Sequence, residues 1–149
     1  MRVSAKVDYA LRATAELAAA QLDSERPDSE RAGPIKGERI ATAQGVPLNF
    51  LENILLELRR SGIVASQRGA EGGYWLARPA GDVSVADVIR AVEGPIATVR
   101  GARPEEVDYT GAATALREVW IELRTSMRGV LETTTLADLV ARSTPKESS

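Results

Sequence analysis

From Lys6 to Gln21 the apolar residues Val7, Ala10, Leu11, Leu17 and Ala18 recur at helical spacing, with only Thr14 interrupting the stripe, which predicts a first helix. The stretch from Asp23 to Gly37 (DSERPDSERAGPIKG) has no apolar period and holds two prolines and two glycines, so a mobile loop is expected there. Glu38 to Gln44 reads as a short helix with Ile40 and Ala41 turned inwards, and Gly45 occupies its C-terminal cap. Pro47 suits the first turn of the next helix, which runs to about Ser61 and places Leu51, Ile54, Leu55 and Leu58 on one face. Strand-like Ile63 to Arg68 and Tyr74 to Arg78 flank a glycine-rich connection, which makes 63–78 a hairpin.

Further along, Ser84-Val85-Ala86-Asp87 has the form of a capping box that opens a helix to Glu93, closed by Gly94-Pro95. Pro95 to Thr110 is irregular. A long amphipathic helix follows, with Leu116, Val119, Trp120, Leu123, Met127, Val130 and Leu131 along one stripe. Thr135-Leu136-Ala137-Asp138 then caps a last helical turn or two, and 143–149 is expected to be a disordered tail. The fold class is α+β and mostly α. Residues 1–94 form a first domain, with 23–37 its loop and 63–78 its hairpin. Residues 95–110 are a connecting loop, and 111–142 hold the long helix and the short C-terminal one.

Composition narrows the chemistry. The 149-residue chain has no cysteine and no histidine. Disulfides, Cys/His metal sites, cysteine nucleophiles and imidazole bases are therefore excluded. No nucleophile elbow, P-loop or dinucleotide fingerprint is present, since Gly69, Gly72 and Gly73 lie in a hairpin away from any helix N-terminus. An enzyme is not expected. No run approaches the ~18 consecutive apolar residues of a membrane helix, and the first residues pass directly into a helix pattern. A cytoplasmic protein without a membrane partner is the expectation.

The block from Glu38 to Arg78 carries the functional signal. A helix-turn-helix needs a small residue at the helix crossing and a residue tolerant of positive φ four positions later; Ala41 and Gly45 supply them. A hairpin directly after the second helix is what a wing looks like in sequence. The polar remainder of that second helix is Asn49, Glu52, Asn53, Arg59 and Arg60. Asn pairs with adenine and Glu accepts from the cytosine amino group, and the N-terminal half of a recognition helix is the part that enters the major groove. Arg68 at the hairpin tip suits a phosphate or a narrow minor groove. Lys36, Phe50, Arg60 and Gln67 complete the candidate contact set. The formal net charge of −2 gives no global attraction to nucleic acid, but across Lys36 to Arg78 six basic residues face four acidic ones. The competing reading is a winged-helix module that assembles proteins without touching DNA; it calls for apolar residues on that face, where Asn49, Glu52 and Asn53 suit base edges and Phe50 and Leu56 fit either reading.

At this point a family resemblance enters. Glu38-Arg-Ile-Ala, Leu51-Glu-Asn-Ile-Leu, Leu58-Arg-Arg-Ser-Gly-Ile-Val and Arg68-Gly-Ala-Glu-Gly-Gly-Tyr74 together resemble the IscR-type winged helix-turn-helix transcription regulators. Tyr9-Ala-Leu-Arg-Ala, Val85-Ala-Asp-Val-Ile-Arg-Ala-Val-Glu93, Leu116-Arg-Glu-Val-Trp120 and Thr135-Leu-Ala-Asp-Leu139 extend the likeness over nearly the whole chain. The resemblance implies a homodimer paired through long C-terminal helices on a near-palindromic duplex, with repression the usual outcome. It places base reading at Asn49, Glu52 and Asn53, the minor-groove arginine at Arg68, and the dimer seam at Leu116, Val119, Trp120, Leu123, Met127, Val130 and Leu131. Many such regulators hold an iron–sulfur cluster through three cysteines in the loop before the long helix. Here 95–110 has none, so a cysteine-ligated cluster is excluded and no cofactor is expected. Asp8, where some relatives supply a carboxylate to the cluster, is left as an ordinary surface acid. Regulation stays open between a small effector near Tyr9, Tyr109 and Trp120, a partner enzyme, and protein level alone.

Overall fold

A computed structural model of the chain describes residues 2–25 and 33–143. Along them run α1 (Ala5–Ser24), α2 (Gly37–Gln44), α3 (Leu48–Arg60), β1 (Val64–Gln67), β2 (Gly73–Leu76), α4 (Val85–Glu93), α5 (Leu116–Leu131) and α6 (Leu136–Ser143), with short 3-10 turns at Ala80–Asp82, Pro104–Glu106 and Gly111–Ala113. The element order is the expected one: mostly helix, with one antiparallel two-stranded sheet. No helix among the described residues is long and apolar enough to cross a membrane.

Ser4 starts α1 by accepting the Val7 amide at 3.1 Å. The helix buries Val7, Ala10, Ala13, Thr14, Leu17 and Ala18. Thr14 does not break this stripe as its polarity suggested. It is fully buried, and its hydroxyl donates to the Ala10 carbonyl at 2.9 Å, so the polar atom is satisfied within its own helix. The small side chains of this face let α2, α3, α4, α6 and β2 all pack onto one helix.

α2 ends on Gly45 in the left-handed region (φ 63, ψ 38), and the Val46 amide returns to the Ala41 carbonyl at 3.0 Å. Pro47 sits one place earlier than expected, as the residue flanking α3, where its carbonyl accepts the Leu51 amide at 3.1 Å. The strands are shorter than the sequence suggested. Val64 pairs with Leu76 and Gln67 with Gly73.

The loop expected at 23–37 is bounded by structure at both ends. α1 continues through Ser24, Gly37 begins α2, and Ile35 pairs with Tyr74 through two backbone bonds of 2.9 and 2.7 Å. Ile35 lacked an apolar neighbour in sequence, and its role became visible only through a strand some forty residues away. The centre of that loop, 26–32, and the tail residues 144–149 lie outside the described residues.

The short C-terminal helix was grouped in sequence with the long one, and its packing revises that grouping. Thr135 and Asp138 cap it reciprocally, each side chain taking the other's amide at 3.0 Å. The Thr135 backbone amide, with its hydroxyl as the second cause, holds the Asp138 carboxyl below the usual carboxylate range. The Leu136 amide donates to Val83 and the Val85 amide to Thr134, both at 2.9 Å, which fastens α6 beside the start of α4. Leu136 is fully buried in the core shared with α1. Leu136→Ala should therefore lower the stability of the winged-helix head by about 2–5 kcal/mol in urea unfolding monitored by circular dichroism. A loss below roughly 0.5 kcal/mol, the scale of a surface change, would show α6 to be an appendage.

Candidate nucleic-acid interface

The helix-turn-helix is held onto α1 by packing and by two sets of polar contacts. Leu51, Leu55 and Leu58 of α3 are fully buried beneath it. Lys6 of α1 meets Glu57 of α3 at 2.8 Å, and Arg12 of α1 donates from Nε to the Gln44 side chain at 3.1 Å and from its terminal nitrogen to the Gln44 carbonyl. These contacts fix the end of α2 and the roll of α3 about its axis. At 100° per residue, a helix whose inner face is Leu51, Ile54, Leu55 and Leu58 turns Asn49, Asn53, Leu56 and Arg60 directly outwards, with Glu52 and Phe50 to either side. All six are exposed. Phe50 is 63% exposed, a large apolar ring left in solvent at the start of the helix.

The wing places a second feature beside this row. Its two strands leave the core at Val64 and Leu76, both buried, and run outwards to the exposed tip at 68–71. Gly72 is required there: a Cβ at this position would stand 2.1 Å from the Gln67 carbonyl oxygen. Gly73 is equally constrained, since a Cβ would meet the Ile35 carbonyl at 2.6 Å. The hairpin that could have been loose in sequence is thus closed by backbone-to-backbone approach. Arg68 and Gln67 are exposed on it, with Glu71 on the same tip. Among the described residues Lys36, Asn49, Glu52, Asn53, Arg60, Gln67 and Arg68 make no side-chain hydrogen bond or ion pair. Lys36, at the flank of α2, is likewise exposed.

The candidate seam residues on α5 divide into two groups. Leu116, Trp120, Met127 and Leu131 are half-buried on the face that meets the chain's own loop and head. Val119, Leu123 and Val130 are 50%, 40% and 64% exposed. Trp120 Nε1 donates to the Tyr109 hydroxyl at 2.9 Å. Tyr9 has a different partner, Arg12, whose guanidinium lies 5.6 Å from its ring centre.

The chain matches the family model described as "Rrf2: Iron-dependent Transcriptional regulator" over residues 3–142. The chain belongs to the Rrf2 family of transcriptional regulators. It is 46% identical over 146 residues to a protein of Mycobacterium tuberculosis classed among HTH-type transcriptional regulators, covering 98% of this chain and 85% of that one. The solved structure of CymR, the global cysteine regulator of Bacillus subtilis, superposes with a TM-score of 0.76 at 33% identity over 97% of this chain and 99% of that chain. The structure of T. potens IscR gives 0.74 at 32% identity, covering 100% and 93%. This Rrf2 chain is thus a transcriptional regulator with a helix-turn-helix DNA-binding fold, and its relatives are regulators rather than enzymes. The iron in the family's description has no fitting donors here. Loop 95–110 holds neither thiolate nor imidazole, and no group of three acidic side chains that could hold a metal occurs among the described residues.

Because Gly72 is sterically obliged, Gly72→Ala should destabilise the wing by roughly 1–3 kcal/mol. The readout is faster amide exchange at Tyr74 and Trp75 while the amides of Leu55 and Leu58 keep their protection. Equal exchange in both proteins would mean that the wing is not held by that approach.

Proposed function

We propose that this Rrf2 regulator binds a near-palindromic duplex as a homodimer and represses transcription from it. The observation that supports the reading best is the outward row Asn49, Asn53 and Arg60, free of internal partners, on a helix fixed by Lys6–Glu57 and a closed wing that presents Arg68. Glu52 and Phe50 flank the row, and Phe50 suits a thymine methyl group. Exposed Lys36 and Gln67 suit phosphates at the edges of the contact. The chain is formally −2, so DNA attraction depends on these local groups and should be strongly salt-dependent.

Fluorescence anisotropy on duplexes selected from genomic fragments tests this. Arg68→Ala should weaken specific binding by about 1–3 kcal/mol, and Asn53→Ala should relax discrimination at one base position. Absence of any duplex bound above non-specific levels at low salt would favour the protein-interaction reading, which the exposed apolar Phe50 and Leu56 on α3 would serve.

The dimer is supported by an apolar groove of about 530 Å³ between the start of α1, α4 and α5, where Val3, Val7, Leu11, Ile89, Val130 and Leu131 meet. With Val119 and Leu123 it forms an unpartnered strip along α5, and a second copy of the same strip is its natural cover. Leu123→Glu should convert a dimer into a monomer in sedimentation velocity and remove high-affinity operator binding. A wild-type chain that sediments as a monomer at every concentration would reject the dimer.

A further inference from the structure

The connection from α4 to α5 lines an open cleft of about 740 Å³ at the joint between the head and the long helix. Four arginines reach it from three elements: Arg90 from α4, Arg103 from the loop, and Arg124 and Arg128 from α5. The acidic side chains in its wall are Glu105 and Glu106. Positive charge is therefore in excess, four groups against two, in a chain whose formal net charge is −2.

The arginines are short of acceptors. The Arg103 side chain is exposed and makes no ion pair or hydrogen bond among the described residues. The Arg124 side chain is only 12% exposed; it reaches the Glu105 carboxylate with one terminal nitrogen, and its Nε is buried without an acceptor. Arg90 and Arg128 share one carboxylate, that of Glu132 at the end of α5, with Arg128 Nε as far as 3.9 Å away. Buried donors left unsatisfied are unfavourable, and guanidinium forks match phosphate and carboxylate oxygens in pairs. The loop is also held in a defined shape. Val99 and Ala102 exchange backbone bonds of 2.8 and 2.9 Å, and Ala97 before this bridge and Arg100 within its turn adopt the left-handed conformation at φ 59 and 49. Such strain at non-glycine residues persists where the surrounding structure imposes it, and it gathers at ligand sites and switches.

We propose that this cleft binds a small polyanion, a phosphorylated or polycarboxylate metabolite, and that its occupancy sets the position of α5 against the head. The anion accepts from Arg103, and it competes with Glu105 for Arg124 and with Glu132 for Arg90 and Arg128. Arg90–Glu132 ties α4 to the end of α5, so exchanging that partner shifts the long helix relative to α3. In a dimer joined through α5 the shift alters the spacing of the two recognition helices. This coupling rests on the dimeric, DNA-binding reading given above.

The test is calorimetric titration of the full chain with inorganic phosphate, pyrophosphate and citrate at constant ionic strength in chloride. Saturable binding of at least one is expected, weakened roughly tenfold or more by Arg103→Gln and by Arg124→Gln, and unchanged by Arg39→Gln on α2. Preference for pyrophosphate over citrate assigns a phosphorylated ligand, and the reverse a carboxylate. Arg124→Gln loosens the loop if Glu105 needs it, but Arg103 has no internal partner to lose, so its variant decides the matter in a folded protein. No saturable uptake of any probe, or uptake equal in all variants, overturns the site. Operator anisotropy with and without the bound probe then reads the coupling, and an unchanged affinity rejects it. If no duplex binds at all, the DNA-binding reading fails while the titration still decides the site.

Discussion

The inner face of α1, where Ala10, Ala13 and Ala18 stand between Val7, Thr14 and Leu17, is the surface on which the rest of the head is assembled. Small side chains bring helix axes close, and close approach is what allows a single 20-residue helix to touch α2, α3, α4, α6 and the wing at once. Thr14 belongs to this face because its hydroxyl is bonded inside the helix and presents mainly its methyl group to the neighbours. Lys6–Glu57 is a partly exposed pair and adds little stability by itself. It joins α1 to α3 beside the buried Leu51, Ile54, Leu55 and Leu58, whose packing turns Asn49 and Asn53 to solvent.

The wing follows a different logic. Four residues per strand would make a marginal hairpin on their own. Val64 and Leu76 root it in the core, Ile35 adds a third backbone partner, and Gln21 joins α1 to the chain just beyond it through the Arg78 carbonyl at 3.0 Å and the Ala80 amide at 2.7 Å. The tip can then hold Arg68 in solvent on a rigid base. In a near-neutral chain, Lys36, Arg60 and Arg68 are thus left exposed without side-chain partners among the described residues.

The joint between head and α5 is the region where this chain departs from what its family's description implies. The thiolates that a cluster needs are absent, and arginines from α4, the loop and α5 converge instead on one cleft. Arg90 and Arg128 share the single carboxylate of Glu132 at this joint.

By itself the sequence determined the order of helices, the turn at Gly45, the capping box at Ser84 and the inward face of α3, because each is set by residues within about one or two helical turns of one another. The polar row on α3 and the absence of cluster ligands were legible for the same reason: they are statements of residue type and period. The tertiary structure decided what depends on distant partners. It moved α6 into the head through Val83 and Leu136, drew Ile35 out of an apparent loop onto Tyr74, divided the α5 stripe into a covered and an exposed face, and gathered Arg90, Arg103, Arg124 and Arg128 around one cleft. Val83 and Leu136 are 53 positions apart, Ile35 and Tyr74 39, and Arg90 and Arg103 13, and no local period records such meetings. Packing of the whole chain, with its demand that buried polar atoms find acceptors, is what selects them.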